Sequence, residues 1–239
     1  MSRTTRSWDR KCLALSFVLT IGTIPHGGVT PGFAKTESNA GIEPGLKITA
    51  HIYNYAQVDL ATLALAENET ARIFQRAGLR IEWRDVPIFS LQSRSIPPDE
   101  PALGPTDVFL RIVPSSSAGP LNKSQESLGC ALPSSKQRVA SDAWVFSDRV
   151  EKVAAQAIAS RDQILGAAMA HEIGHLLLGS DPHSVEGVMR GDWRREEYVS
   201  AAQGRLLFTP HQAQQIRAEV LARNMPQNTT QTLGSLPAK

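Results

Sequence analysis

The segment His171-Glu172-Ile173-Gly174-His175 constrains this chain more than any other. Histidines at i and i+4 share one face of a helix, so a helical segment can bring both imidazoles to a single metal ion. Glu172, next to the first histidine, then stands where a general base can act on a metal-held water. Two neutral nitrogens leave Zn²⁺ short of its tetrahedral set. A catalytic zinc takes a third protein ligand and keeps its fourth position for water. The surrounding residues predict the helix this requires. Ser160 and Gln163 form a capping-box pattern, Ile164, Leu165 and Ala168 continue the helical spacing, and Gly179 is a natural stop. The bland alternative is two core histidines that never meet a metal.

At 239 residues, with 41% hydrophobic and 20% charged, the chain suits one globular domain plus tails. Arg3, Arg6, Arg10 and Lys11 precede a short apolar run from Cys12 to Ile24, and Gly32-Phe33-Ala34 offers small residues for cleavage. Residues 1–34 therefore read as a signal peptide of an exported protein, whether secreted, periplasmic or extracellular. The alternative, an uncleaved anchor, is disfavoured by the shortness of the run. Four of the 25 Lys+Arg and one of the 23 Asp+Glu lie in those residues, so the remainder is close to neutral. It has no basic stripe, which argues against nucleic-acid binding, and no further apolar stretch long enough for a stable membrane span. Cys12 leaves with the signal, and Cys130 alone can form no internal disulfide. The expectation for it is a buried small hydrophobe, with a zinc thiolate as the lesser alternative.

Residues 35–45 read as a linker, 46–224 as the catalytic domain and 225–239 as a polar, disordered tail. Within the domain, β-formers predict strands over Leu46 to Val58, Leu79 to Val86 and Asp107 to Val113, with short strands over Leu128 to Pro133 and Ala140 to Phe146. Asp59 caps a helix from Leu60 to Arg76 that Gly78 ends, and this β-α-β order implies parallel pairing. Pro87 to Pro105 and Pro114 to Ser127 read as loops. A helix is expected from Asp148 through Ala159, and a last one from Thr209-Pro210 to Arg223. His51 reads as a half-buried strand histidine, and His211 as a surface residue.

The run from His171 to Met189 resembles the metzincin zinc peptidases, and most closely their matrixin branch. In that clan the helix bears two histidines and the glutamate, a glycine turns the chain, a third histidine follows, and a methionine forms a tight turn beneath the metal. The corresponding residues are His171, Glu172, His175, Gly179, His183 (with Ser184) and Met189 within Gly187-Val188-Met189. The spacing departs from the family pattern. Leu178 occupies the family's glycine position and Asp181 its third-ligand position, while Gly179 and His183 come one and two residues late. Either the ligand loop is expanded and His183 binds zinc, or Asp181 is the third ligand, as in a minority of metzincins. Three features favour His183. Gly179 suits a left-handed turn, the spacing from His183-Ser184 to Met189 matches the family, and Pro182 stiffens the approach. Asp181 could then accept a histidine N–H. Arg190 stands where the family often has proline.

Gly129-Cys130-Ala131-Leu132-Pro133 and Asp142-Ala143-Trp144-Val145-Phe146-Ser147-Asp148 are more weakly similar to the matrixin stretch leading to the edge strand over the cleft, which pairs with extended substrate. The resemblance implies an α/β (α+β) fold: a metzincin-like twisted mixed sheet with a long backing helix and an active-site helix. It implies a Zn²⁺-dependent endopeptidase acting on a peptide or protein substrate, with Glu172 as general base, Met189 as a packing floor and Gly191 to Tyr198 beside the cleft. Tyr198 could donate to the oxyanion, although a packing role is the ordinary one. The competing expectations are a non-catalytic binding protein of the same fold and a metal-dependent hydrolase of a non-peptide amide.

Overall fold

A computed structural model describes residues 46–87, 103–121, 127–132, 142–156, 158–179 and 182–225. The signal-peptide assignment for 1–34, the linker assignment for 35–45 and the tail assignment for 225–239, apart from Met225, lie outside these residues, as does Asp181. The described part is a mixed α/β structure. Its five strands are β1 (Lys47–Asn54), β2 (Arg80–Asp85), β3 (Asp107–Val113), β4 (Gly129–Leu132) and β5 (Asp142–Phe146). They form one sheet in the order β2-β1-β3-β5-β4, parallel except for β4, which runs antiparallel to β5 along one edge. Five helices accompany it: α1 (Leu60–Arg76), α2 (Ser147–Ala154), α3 (Arg161–Leu178), α4 (Arg195–Ala202) and α5 (Pro210–Asn224). None of the described helices is long and apolar enough to cross a membrane.

Alternation along the strands decides which face carries the helices. Ile48, Ala50 and Ile52 of β1, Val108, Leu110 and Ile112 of β3, and Ala143 and Val145 of β5 are buried in one core with Ile73 and Phe74 of α1 and Ile164, Leu165, Met169 and Ile173 of α3. The apolar character of α3 follows from being enclosed by other elements. Its crossing with α1 is close: a Cβ at Gly166 would stand 2.5 Å from the Ala66 carbonyl oxygen. There the Thr70 hydroxyl, at 2.8 Å from each, bridges the carbonyls of Ala66 and Gly166.

Several boundaries differ from expectation. β1 ends at Asn54 instead of Val58, because the Asn54 side chain bonds both N–H and C=O of Val58 and closes a turn. α2 begins at Ser147 and stops at Ala154, short of Ala159. The expected loop after β3 contains 3-10 turns over Ser115–Leu121. α4 was not expected at all. His51 is buried, not half-buried, with Nε2 3.0 Å from Oδ2 of Asp107, while His211 is exposed. Cys130 is half-buried against Val113 and Phe146, not fully buried.

Candidate metal centre

The active-site helix of the sequence reading is α3. At its start Ser160 N–H donates to Gln163 Oε1 at 3.0 Å, and it ends at Leu178 before Gly179, whose φ of +78° and ψ of −148° belong to a region used by glycine alone. Leu178, at the position of the family's glycine, is thus still helical. His171 and His175 project from one face of α3, and their Nε2 atoms lie 3.0 Å apart. For comparison, two nitrogens bound tetrahedrally to zinc at about 2.0–2.1 Å stand roughly 3.3 Å apart. His183 joins them from the following loop. One nitrogen from each of the three rings can be chosen so that all lie within 4.8 Å of one another.

The ring states suit ligation. Nδ1 of His171 lies 2.7 Å from the Val188 carbonyl, which can only accept, so Nδ1 carries the hydrogen and Nε2 presents its lone pair. Burial, partly opposed by this bond, holds the His171 pKa down to about 4. Burial, with the neighbouring imidazoles, holds that of His175 down to about 3. Both rings are therefore neutral at physiological pH, as a metal ligand must be.

Glu172 reaches toward edge strand β4. A Cβ at Gly129 of β4 would stand 2.6 Å from its Oε1, so the missing side chain is what admits the carboxyl. Glu172 is only 4% exposed, and its Oε2 has no hydrogen-bond partner among the described residues. Burial pushes its pKa up to about 8. An unpartnered carboxyl in such a place costs stability and calls for a chemical reason.

Met189 is fully buried. The turn that holds it is closed by Arg190 N–H donating to the Gly187 carbonyl at 3.1 Å. A proline at 190 could not make that bond. Gly187 has φ +77°, and a Cβ there would lie 2.5 Å from the Leu207 carbonyl oxygen, so the turn requires glycine on both counts. Gly174, inside the histidine motif, meets Met189: a Cβ there would stand 2.5 Å from Sδ.

Four supporting residues escaped the sequence reading. Trp193 Nε1–H donates to the same Val188 carbonyl as His171, at 3.2 Å, and its ring stands edge-on to His171 at 5.9 Å. Arg190 pairs with the buried Glu197 at 3.0 Å, and Glu197 also accepts from Arg194 N–H at 2.7 Å, which starts α4. Gln212 of α5 reaches the His183 loop. Arg194 and Glu197 do stand at capping-box spacing, but arginine is not an N-cap residue by type. The other contacts are tertiary and leave no local signal. Tyr198 packs edge-on against Trp193 at 6.2 Å, and burial, helped by Asp192 and Glu197, raises its pKa. No family model matches the chain, and no curated protein matches it either.

Proposed function

We propose that this protein is a zinc-dependent endopeptidase, an exported relative of the metzincins, in which His171, His175 and His183 hold the metal and Glu172 is the general base. The observation that supports the reading is the convergence of three imidazole nitrogens, two of them on the helix that also carries a buried carboxyl whose Oε2 has no partner among the described residues. The donor set fits zinc: three imidazole nitrogens, which leave one position of a tetrahedral set for water. When bound, zinc supplies Lewis acidity, which acidifies water and polarises a scissile carbonyl.

The chain's own residues would do the rest. Val188 fixes the His171 tautomer through its carbonyl, so that Nε2 faces the site. Glu172 accepts a proton from the attacking water and hands it to the leaving amine nitrogen. Its high pKa in the metal-free protein comes from burial. A dication at the three imidazoles would work in the opposite direction and favour the carboxylate. Edge strand β4, antiparallel and adjacent to Glu172, offers an extended peptide a backbone to pair with. A purely structural metal site gains nothing from Glu172, and the cost of burying that carboxyl weighs against a non-catalytic binding module.

The test compares wild type with Glu172→Gln and His183→Ala for zinc content and for cleavage of a peptide library. Expected are one zinc per wild-type chain, zinc without cleavage for Glu172→Gln, and loss of zinc for His183→Ala. Loss of zinc in Asp181→Ala with retention in His183→Ala would transfer the third-ligand role to Asp181.

A further inference from the structure

Of the three histidines, His183 is the one held least by its own side chain. Its ring is exposed, and among the described residues its ring nitrogens have no hydrogen-bond partner. It stands over Gly191, where a Cβ would lie 3.0 Å from Nδ1, and its position is set through the backbone on either side. Those neighbours are tied to one residue far along the chain. Gln212, 6% exposed, donates from Nε2 to the Pro182 carbonyl at 3.2 Å and to the Ser184 hydroxyl at 3.1 Å. Ser184 in turn donates from Oγ to the Glu186 carbonyl at 2.6 Å and from its backbone to the Met189 carbonyl at 3.0 Å.

We propose that Gln212 is a positioning residue for the third metal ligand, clamping residues 182 and 184 so that the imidazole between them meets the other two. The inference rests on reading the three histidines as a zinc site, and it adds a residue that neither the motif nor the proposed chemistry uses.

Gln212 has a second task. Its Oε1 accepts from Thr209 N–H at 3.0 Å, and its own N–H donates to Thr209 Oγ1 at 3.3 Å, which closes the capping box of α5. These contacts fix the amide's orientation, because a flipped amide would set its NH₂ against the Thr209 N–H. They also separate the two roles. A capping box needs only an acceptor, and glutamate serves it as well as glutamine. Holding the Pro182 carbonyl and the Ser184 hydroxyl together needs an NH₂ group, which glutamate lacks.

The experiment uses the full chain. Zinc affinity is measured by competition with a chromophoric chelator, Co²⁺ substitution reports coordination through its d–d spectrum, and thermal unfolding of the metal-free protein reports the fold. Gln212→Glu keeps the helix cap and loses both donors. It is expected to weaken zinc binding about ten-fold or more and to move the Co²⁺ spectrum toward that of His183→Ala. Thr209→Ala, which damages the cap and spares both donors, is expected to lower the unfolding temperature and leave zinc affinity unchanged. Ser184→Ala removes one acceptor of the clamp, together with the hydroxyl's own bond to the Glu186 carbonyl, and leaves the sequence of α5 unchanged, so it tests the clamp even if Gln212→Glu fails to fold. A smaller weakening in the same direction is expected. Wild-type zinc affinity in both Gln212→Glu and Ser184→Ala, or equal weakening in Thr209→Ala, would overturn the role of Gln212. A wild type that takes up no zinc would overturn the site itself.

Discussion

The packing of Gly174 against Met189 ties the histidine helix to the turn that holds Met189, and a double-mutant cycle measures that tie. A Cβ at Gly174 would stand 2.5 Å from Met189 Sδ and 3.0 Å from Phe208 Cε1, and both neighbours are buried. Gly174→Ala therefore gains about 1 kcal/mol of helix propensity but loses about 1–3 kcal/mol to overpacking. The net is a destabilisation of about 1 kcal/mol. Met189→Ala opens a cavity at a fully buried site and costs about 2–5 kcal/mol. In the double variant the new methyl enters space that Sδ has left, so the overpacking is largely relieved and the helix gain is recovered. The double variant should then be about 1 kcal/mol more stable than Met189→Ala alone, where simple addition makes it about 1 kcal/mol less stable, a coupling of about 2 kcal/mol. Urea unfolding of the four metal-free proteins at one pH provides the free energies. For a domain of this size the coupling amounts to about 4–8 °C in Tm. Additivity to within about 0.5 kcal/mol would refute the contact, and with it the view that Met189 is a floor packed against the motif.

Gly129→Ala should separate metal binding from chemistry. The methyl meets Oε1 of Glu172 at 2.6 Å and also the Trp144 carbonyl, so the carboxyl must shift while the histidines need not. Zinc content should remain at one per chain while kcat falls on the order of a hundred-fold, and unchanged kcat would count against Glu172 as the base. Glu67 of α1 provides a pH test on a residue outside the histidine cluster. Burial, with the Asp85 charge, raises its pKa from 4.5 to about 7. The folded state thus holds this proton more tightly than the unfolded one, and the contribution to stability is lost as pH rises from about 4.5 through about 7. After discounting for its partial exposure to solvent, the loss is about 1–2 kcal/mol. The stability difference between Glu67→Gln and wild type should shift in favour of the variant by that amount from pH 4 to pH 8, and a flat difference would show that Glu67 titrates normally.

How much could be read from the sequence depended on how local each interaction is. The bounds of α1 were legible because Asp59 caps it, accepting from Thr62 N–H at 2.9 Å, and Gly78 follows it at φ +87°. The extent of α3 was legible for the same kind of reason, since Ser160 and Gln163 start it and Gly179 stops it. No stop signal marks Ala154, so the end of α2 was overrun. α4 was missed because Arg194 is not an N-cap by type; Glu197 supplies the missing acceptor from within the helix, a role visible only once its side chain is seen to turn back. The site divides along the same line. Two histidines on one helical face, with a glutamate next to the first, can be inferred from spacing, because the helix fixes their relative positions. The third candidate cannot, because a loop has no fixed period. What places His183 is Gln212, 29 residues further on, together with a backbone bond from Ser184 to the methionine turn. The shifted spacing that left Asp181 and His183 as rivals begins with the helix, which continues through Leu178. The contacts that bring His183 to the other histidines are tertiary, so the rivalry could be posed from the sequence but the position of His183 had to come from the fold.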